Sequence, residues 1–157
     1  MDARAYSAGE LAFRPETFFL GRTEGAGVVR DLFGRVQRRC QIVTEGAQRG
    51  TYEAVHFDET FTFDDGATEI WRWALTVGPD GRYMAAEAIA GSGITGRRAG
   101  EDYVLAFRRP LGPAKGLAAP RYHTRFTLLA ADTAIKHTRV SLLGAPMGEM
   151  TAIHHRV

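Results

Sequence analysis

Apolar and polar residues alternate with a period of two along most of this chain. The alternation is strongest in FDETFTFDDGATEIWRW, from Phe57 to Trp73. Val55, Phe57, Phe61 and Phe63 share one face of an extended run, and Glu59 is the one acid in that row. Trp71, Trp73, Leu75 and Val77 share a face of the next run, with Asp64-Asp65-Gly66 between the two. Side chains two apart on a strand point the same way, so the pattern predicts a hairpin with one buried side. Asp-Gly between alternating runs is itself a hairpin signal. Glu59 is thereby placed on or beside a wall of aromatic rings.

The same reading along the rest of the chain predicts strands at 25–31, 35–45, 51–63, 68–77, 82–90, 102–109, 121–129, 134–143 and 148–157. Gly78-Pro79-Asp80-Gly81 is dense turn chemistry, because proline presets φ and glycine accepts positive φ. Gly91, Gly93, Gly96 and Gly100 crowd one short stretch. That composition fits a bend or bulge at a barrel corner, or a close approach of backbones. A phosphate-cradling loop would need a following helix and a Gly-Lys-Ser/Thr tail, and neither follows. Residues 15–20 read as one helical turn ended by Gly21, and the adjacent Phe18 and Phe19 must pack on a sheet or plug an opening. Residues 1–12 are expected to be loosely ordered. Evenly spaced strands joined by short turns predict an all-β chain, and a single domain over 1–157. The expected form is an antiparallel up-and-down barrel of about eight to ten strands with a short N-terminal helical turn, since closure removes exposed edges.

A family resemblance runs through the chain in order. Its pieces are Phe18-Phe19-x-Gly21, Gly27, Asp31 and Phe33-Gly34-Arg35-Val36, then Asp58-Glu59-x-Phe61-x-Phe63-x-Asp65-Gly66 and Trp73-x-Leu75. It continues with Tyr83, Gly96-x-x-x-Gly100 and Gly148-Glu149-x-Thr151. Together these resemble a lipocalin-like bacterial domain family of unknown function. The resemblance implies a lipocalin-like barrel, often on the envelope side of Gram-negative cells, with no established activity. The chain departs from that pattern with Trp71 in place of an arginine, with His123-Thr124-Arg125 in place of an acidic pair and a tryptophan, and with Lys136-His137 in place of an Asn-Arg pair.

Composition narrows the function classes. Of 157 residues, 45% are hydrophobic and 24% charged, ordinary for one globular domain. The formal charge is only +2. The pairs Arg38-Arg39, Arg97-Arg98 and Arg108-Arg109 are scattered, and each places its two arginines on opposite faces of a strand. That argues against a nucleic-acid footprint, which gathers base on one face. The single cysteine, Cys40, excludes an intrachain disulfide and reads as a small buried hydrophobe. No apolar stretch is long enough for a transmembrane helix. The start lacks a signal peptide, so the chain as written is expected in the cytoplasm, or in the envelope or periplasm if a leader was removed. The histidines His56, His123, His137, His154 and His155 form no metal-ligand motif, and His154 and His155 point to opposite faces of a strand. No metal and no cofactor is expected.

Glu59 is the residue of greatest chemical interest. A carboxyl among Phe57, Phe61 and Phe63 is desolvated if the interior is dry, and could act as acid or base or bind a ligand's polar head. The plainer reading pairs it with an interior arginine such as Arg72, because buried charges are usually paired. Trp71, Trp73, Tyr83, Tyr103 and Phe107 would line a cavity or simply fill the barrel, since small barrels do either. The leading reading is a carrier or sensor of a small hydrophobic, lipid-like or aromatic molecule, with Glu59 and Arg72 at its polar end. One alternative is an enzyme of isomerase, cyclase or hydratase type with Glu59 as acid–base group. Another is a protein-interaction module with a filled barrel, and a homodimer is left open.

Overall fold

A computed structural model describes residues 11–50, 54–111 and 119–157. Ten strands run in order: β1 (Gly21–Asp31), β2 (Val36–Gln48), β3 (Ala54–Phe63), β4 (Thr68–Val77), β5 (Arg82–Glu87), β6 (Gly91–Ala99), β7 (Asp102–Arg108), β8 (Arg121–Ala130), β9 (Thr133–Leu142) and β10 (Ala145–Arg156). Each pairs antiparallel with its neighbours in sequence, and β10 pairs with β1 to close the barrel. The all-β, up-and-down, lipocalin-like barrel expected from the sequence is what forms. Residues 1–10, 51–53 and 112–118 lie outside the described residues, so the expectations of a loose start and of a strand beginning at 51 rest there in part.

The hairpin at the centre of the pattern is β3–β4, with Phe57 opposite Trp73 and Glu59 opposite Trp71. Val55, Phe57, Glu59, Phe61 and Phe63 are all buried, while His56, Asp58 and Thr62 between them are exposed. On β2, Cys40 and Ile42 take the inward positions. Burial raises the Cys40 thiol above its ordinary pKa, in keeping with a small core side chain.

The glycine-rich stretch differs from the expectation of a bend. Residues 91–99 are a full strand, β6, paired with β5 and β7, and a bulge lies between Ala85 and Glu87 where β5 and β6 meet. Few large side chains mark β6, so alternation carries little signal there. Gly96 explains one of its glycines: a Cβ there would lie 2.4 Å from the Tyr103 hydroxyl oxygen, and the Tyr103 ring is buried. The expected close approach of backbones is thus replaced at that position by the approach of a side-chain ring.

Before β1 comes a single helical turn, α1 (Pro15–Phe18). Proline starts it, supplying a preset φ and no N–H that would need a partner. Phe13, Phe18 and Phe19 around it are buried. The Phe19 ring stacks on Phe57 at 4.1 Å and the Phe13 ring on Phe126 at 4.9 Å. The segment therefore plugs one barrel end, as two adjacent phenylalanines require. The backbone of the plug leans on β2 at Gly46, where a Cβ would sit 2.0 Å from the Phe19 carbonyl oxygen. Gly46 is a strand residue here, past the strand end at 45 that the sequence pattern predicts. The opposite end carries the β1–β2, β3–β4, β5–β6, β7–β8 and β9–β10 connections, and among the described residues it is open.

Candidate functional site

Between the plug and the open end lies a cavity of about 360 Å³. Alternation on β3 and β4 sends Phe57, Phe61, Trp71 and Trp73 into it, and β7 adds Leu105 and Phe107. The rings pack edge to face, with Trp73 to Phe107 at 5.1 Å and Trp71 to Tyr122 at 5.4 Å. That geometry suits ring quadrupoles. Phe19, Tyr103 and Phe126 lie at the plugged end of the cavity. Arg30, Gln37, Arg38, Leu111 and Met147 line it toward the open end.

Glu59 faces this interior and is only 1% exposed. Its partner is not Arg72. The Lys136 ammonium donates to the Glu59 carboxylate at 2.7 Å, and both side chains are buried. Lys136 comes from β9, 77 positions along the chain, and meets Glu59 only because the closed barrel sets β3 and β9 across the interior. It also sits within 5.6 Å of the Phe61 and Phe126 ring centres, so aromatic faces support the ammonium. Arg72 alternates with Trp71 and Trp73 and is therefore carried to the outer face, where it lies 3.8 Å from Asp58. The expected polar end of Glu59 and Arg72 is thus replaced by Glu59 and Lys136.

The other expected site residues divide by depth. Phe57, Phe61, Trp71, Trp73, Tyr103 and Phe107 line the cavity. Tyr83 is buried but lies beyond it toward the plug, with its ring against Tyr103 at 5.1 Å. Burial, helped by the nearby Glu16 carboxylate, pushes the Tyr83 phenol up to about 12. Tyr103 shifts in the same direction, mainly through burial.

Besides Lys136, three buried polar residues escaped the sequence reading. Arg109 and Glu87 form a second buried pair at 2.6 Å near the rim, with the guanidinium 3.9 Å over the Trp71 ring. Glu87 also accepts from the backbone N–H groups of Ile89 and Ala90, bracing the β5–β6 turn. The paired arginines held the signal, since a strand sends one of Arg108 and Arg109 inward. The third is His154, fully buried on β10, whose two ring nitrogens have no hydrogen-bond partner. Burial, with Lys136 nearby, lowers its pKa to about 4, so the ring is neutral near pH 7. His155 points outward, as alternation required, and bonds the Thr133 hydroxyl at 2.9 Å.

Trp71 carries one more unmet group. Its ring lines the cavity, and its indole N–H is buried without an acceptor. Buried donors are rarely left so. Among the described residues no group of three or more histidine, cysteine or acidic side chains is placed to hold a metal ion. No helix among them is long and apolar enough to cross a membrane.

Comparison with known proteins agrees with this architecture. The family described as "Protein of unknown function (DUF3833)" matches residues 1–156. No curated protein matches the sequence. Among solved structures, the S-type phycobiliprotein lyase CPES from Guillardia theta is similar in fold, with a TM-score of 0.70 at 8% identity over 95% of this chain and 94% of that one. A redesigned beta barrel, mFAP1, bound to DFHBI, aligns over 92% of this chain and 100% of its own, at 12% identity and a TM-score of 0.46.

Proposed function

The chain belongs to the DUF3833 family of unknown function, and from that premise we propose that it binds a small, flat hydrophobic molecule inside the barrel. The observation that carries this is the open-ended aromatic cavity of about 360 Å³, a volume within the range of small-molecule sites. Its walls offer apolar area, worth roughly 25 cal/mol for each Å² of ligand surface removed from water. Its polar groups are few, as in sites that orient a ligand by one end. The indole N–H of Trp71 is buried in the cavity wall without an acceptor. Glu59 and Lys136 neutralise each other, so the cavity presents their dipole rather than a free charge. With Glu59 held by Lys136, the carrier reading has more support than the acid–base reading.

Trp71 and Trp73 are the chain's two tryptophans and both line the cavity, so intrinsic fluorescence reports on it directly. Titration with fatty acids, polyenes and planar aromatics should quench or shift that emission for at least one class. Leu105→Phe, which fills cavity space while keeping an apolar wall, should weaken the response with the fold intact by circular dichroism. Silence across the panel, or a response that Leu105→Phe leaves unchanged, refutes the proposal.

A further inference from the structure

Large apolar side chains are unevenly placed on the barrel's outside. Of eleven exposed ones among the described residues, six lie at the open end: Leu32, Phe33, Ile89, Leu111 and Leu143 in its connections, and Met147 at the start of β10. The plugged end has Leu129 and the chain-terminal Val157, and its turns carry Arg49, Asp80, Glu101 and Asp132. The connections that bear or border these six follow one another around the rim, because barrel order places β1–β2, β9–β10, β7–β8 and β5–β6 side by side, the β7–β8 connection being described only at its two ends. The remaining turn, β3–β4, carries Asp64 and Asp65 instead.

Two of these tips are built to stay out in water. Phe33 is 77% exposed on a turn pinned by Asp31, whose carboxylate accepts from the backbone N–H groups of Phe33 and Arg35 at 2.9 Å. Leu143 is 88% exposed and holds a φ of 51°. A leucine in the left-handed region is strained where glycine or asparagine would sit at ease.

We propose that this rim docks on an anionic lipid surface, with the apolar tips entering the headgroup boundary and the arginines behind them meeting lipid phosphates. Charge on the page favours that occupant. Outside any buried pair, the strand ends beside these apolar residues hold Arg30, Arg35, Arg108 and Arg121 against Asp31 and, opposite Arg30 on β10, Glu149. Asp31 is spent on its turn, and Glu87 is buried with Arg109. Separate tips around a hole suit a fluid interface, which closes around each one, and interfacial binding strengthens with both apolar area and anionic lipid. The acidic β3–β4 turn sets the tilt, staying off the surface. The docking stands whatever the cavity holds, although it would bring the mouth against hydrocarbon.

Co-sedimentation with vesicles tests it, using phosphatidylcholine alone and phosphatidylcholine mixed equally with phosphatidylglycerol. The protein should bind the anionic vesicles, and less so as salt rises. Phe33→Ser combined with Leu143→Asn should cut the bound fraction roughly tenfold or more, while Leu129→Ser at the other end should leave it unchanged. Both rim changes lie in solvent, and asparagine accepts the Leu143 backbone, so thermal unfolding should show the fold retained. Failure to bind, or equal binding by the rim variant, overturns the proposal. So does a concentration-dependent dimer that the rim variant abolishes, because the tips would then serve a second copy.

Discussion

Replacing His154 by leucine should flatten the protein's acid sensitivity. The ring is fully buried, neither nitrogen has a partner, and burial holds its pKa at about 4 against an ordinary 6.5. In the unfolded chain the imidazole takes a proton near pH 6.5, while the folded barrel refuses it until about pH 4. The unfolded state therefore binds the extra proton in that window, and stability falls as pH falls. Full stability from this group is present above pH 6.5 and is lost on the way down to pH 4. One proton is worth about 1.4 kcal/mol per pH unit, so the loss across the window is about 3 kcal/mol. Leucine carries no proton and abandons no hydrogen bond. At pH 7.5 the variant should match wild type to within about 1 kcal/mol, with repacking the main cost. Near pH 4.5 it should be the more stable of the two by roughly 2 kcal/mol. Urea unfolding at a series of pH values, followed by Trp71 and Trp73 emission, measures both curves. Asp31 and Asp65, whose pKa values are lowered mainly by backbone N–H donors, also make wild type acid-labile, but equally in the variant. Parallel curves for the two proteins would show that His154 is solvated or already protonated, and the reasoning would fail.

Two other tests follow from the interior. Lys136→Met leaves the Glu59 carboxylate buried without counter-charge and should cost about 3–5 kcal/mol in chemical denaturation, whereas Glu59→Leu with Lys136→Met should recover most of that loss. A single variant no worse than the double one would mean that water reaches the pair. Gly96→Ala drives a methyl into the Tyr103 ring, which is packed by Phe13, Tyr83 and Phe126. A loss of about 1–3 kcal/mol is expected there. The comparison is Gly100→Ala, which meets no neighbour and strains only the backbone.

Alternation alone determined the inward faces of β2, β3 and β4, and with them the placement of Cys40, Phe57, Glu59, Phe61, Trp71 and Trp73. It did so because a strand's side chains must point to opposite faces in turn, whatever the strand later pairs with. The same rule already put Arg72 outside, between two inward tryptophans, and the expectation of an Arg72–Glu59 pair set it aside in search of a counter-charge. The plug was legible too, since Phe18 and Phe19 leave no other outlet for their area. β6 was hidden because glycines give neither propensity nor pattern, and only the Tyr103 ring lying over Gly96 shows why one of them is there. Lys136, His154 and the Arg109–Glu87 pair depend on which strands face each other across the closed barrel. Sequence order fixes a strand's neighbours in an up-and-down sheet, but the partner across the interior depends on strand number, stagger and tilt. Those quantities exist only once β10 has met β1, so the contents of the cavity were decided by closure.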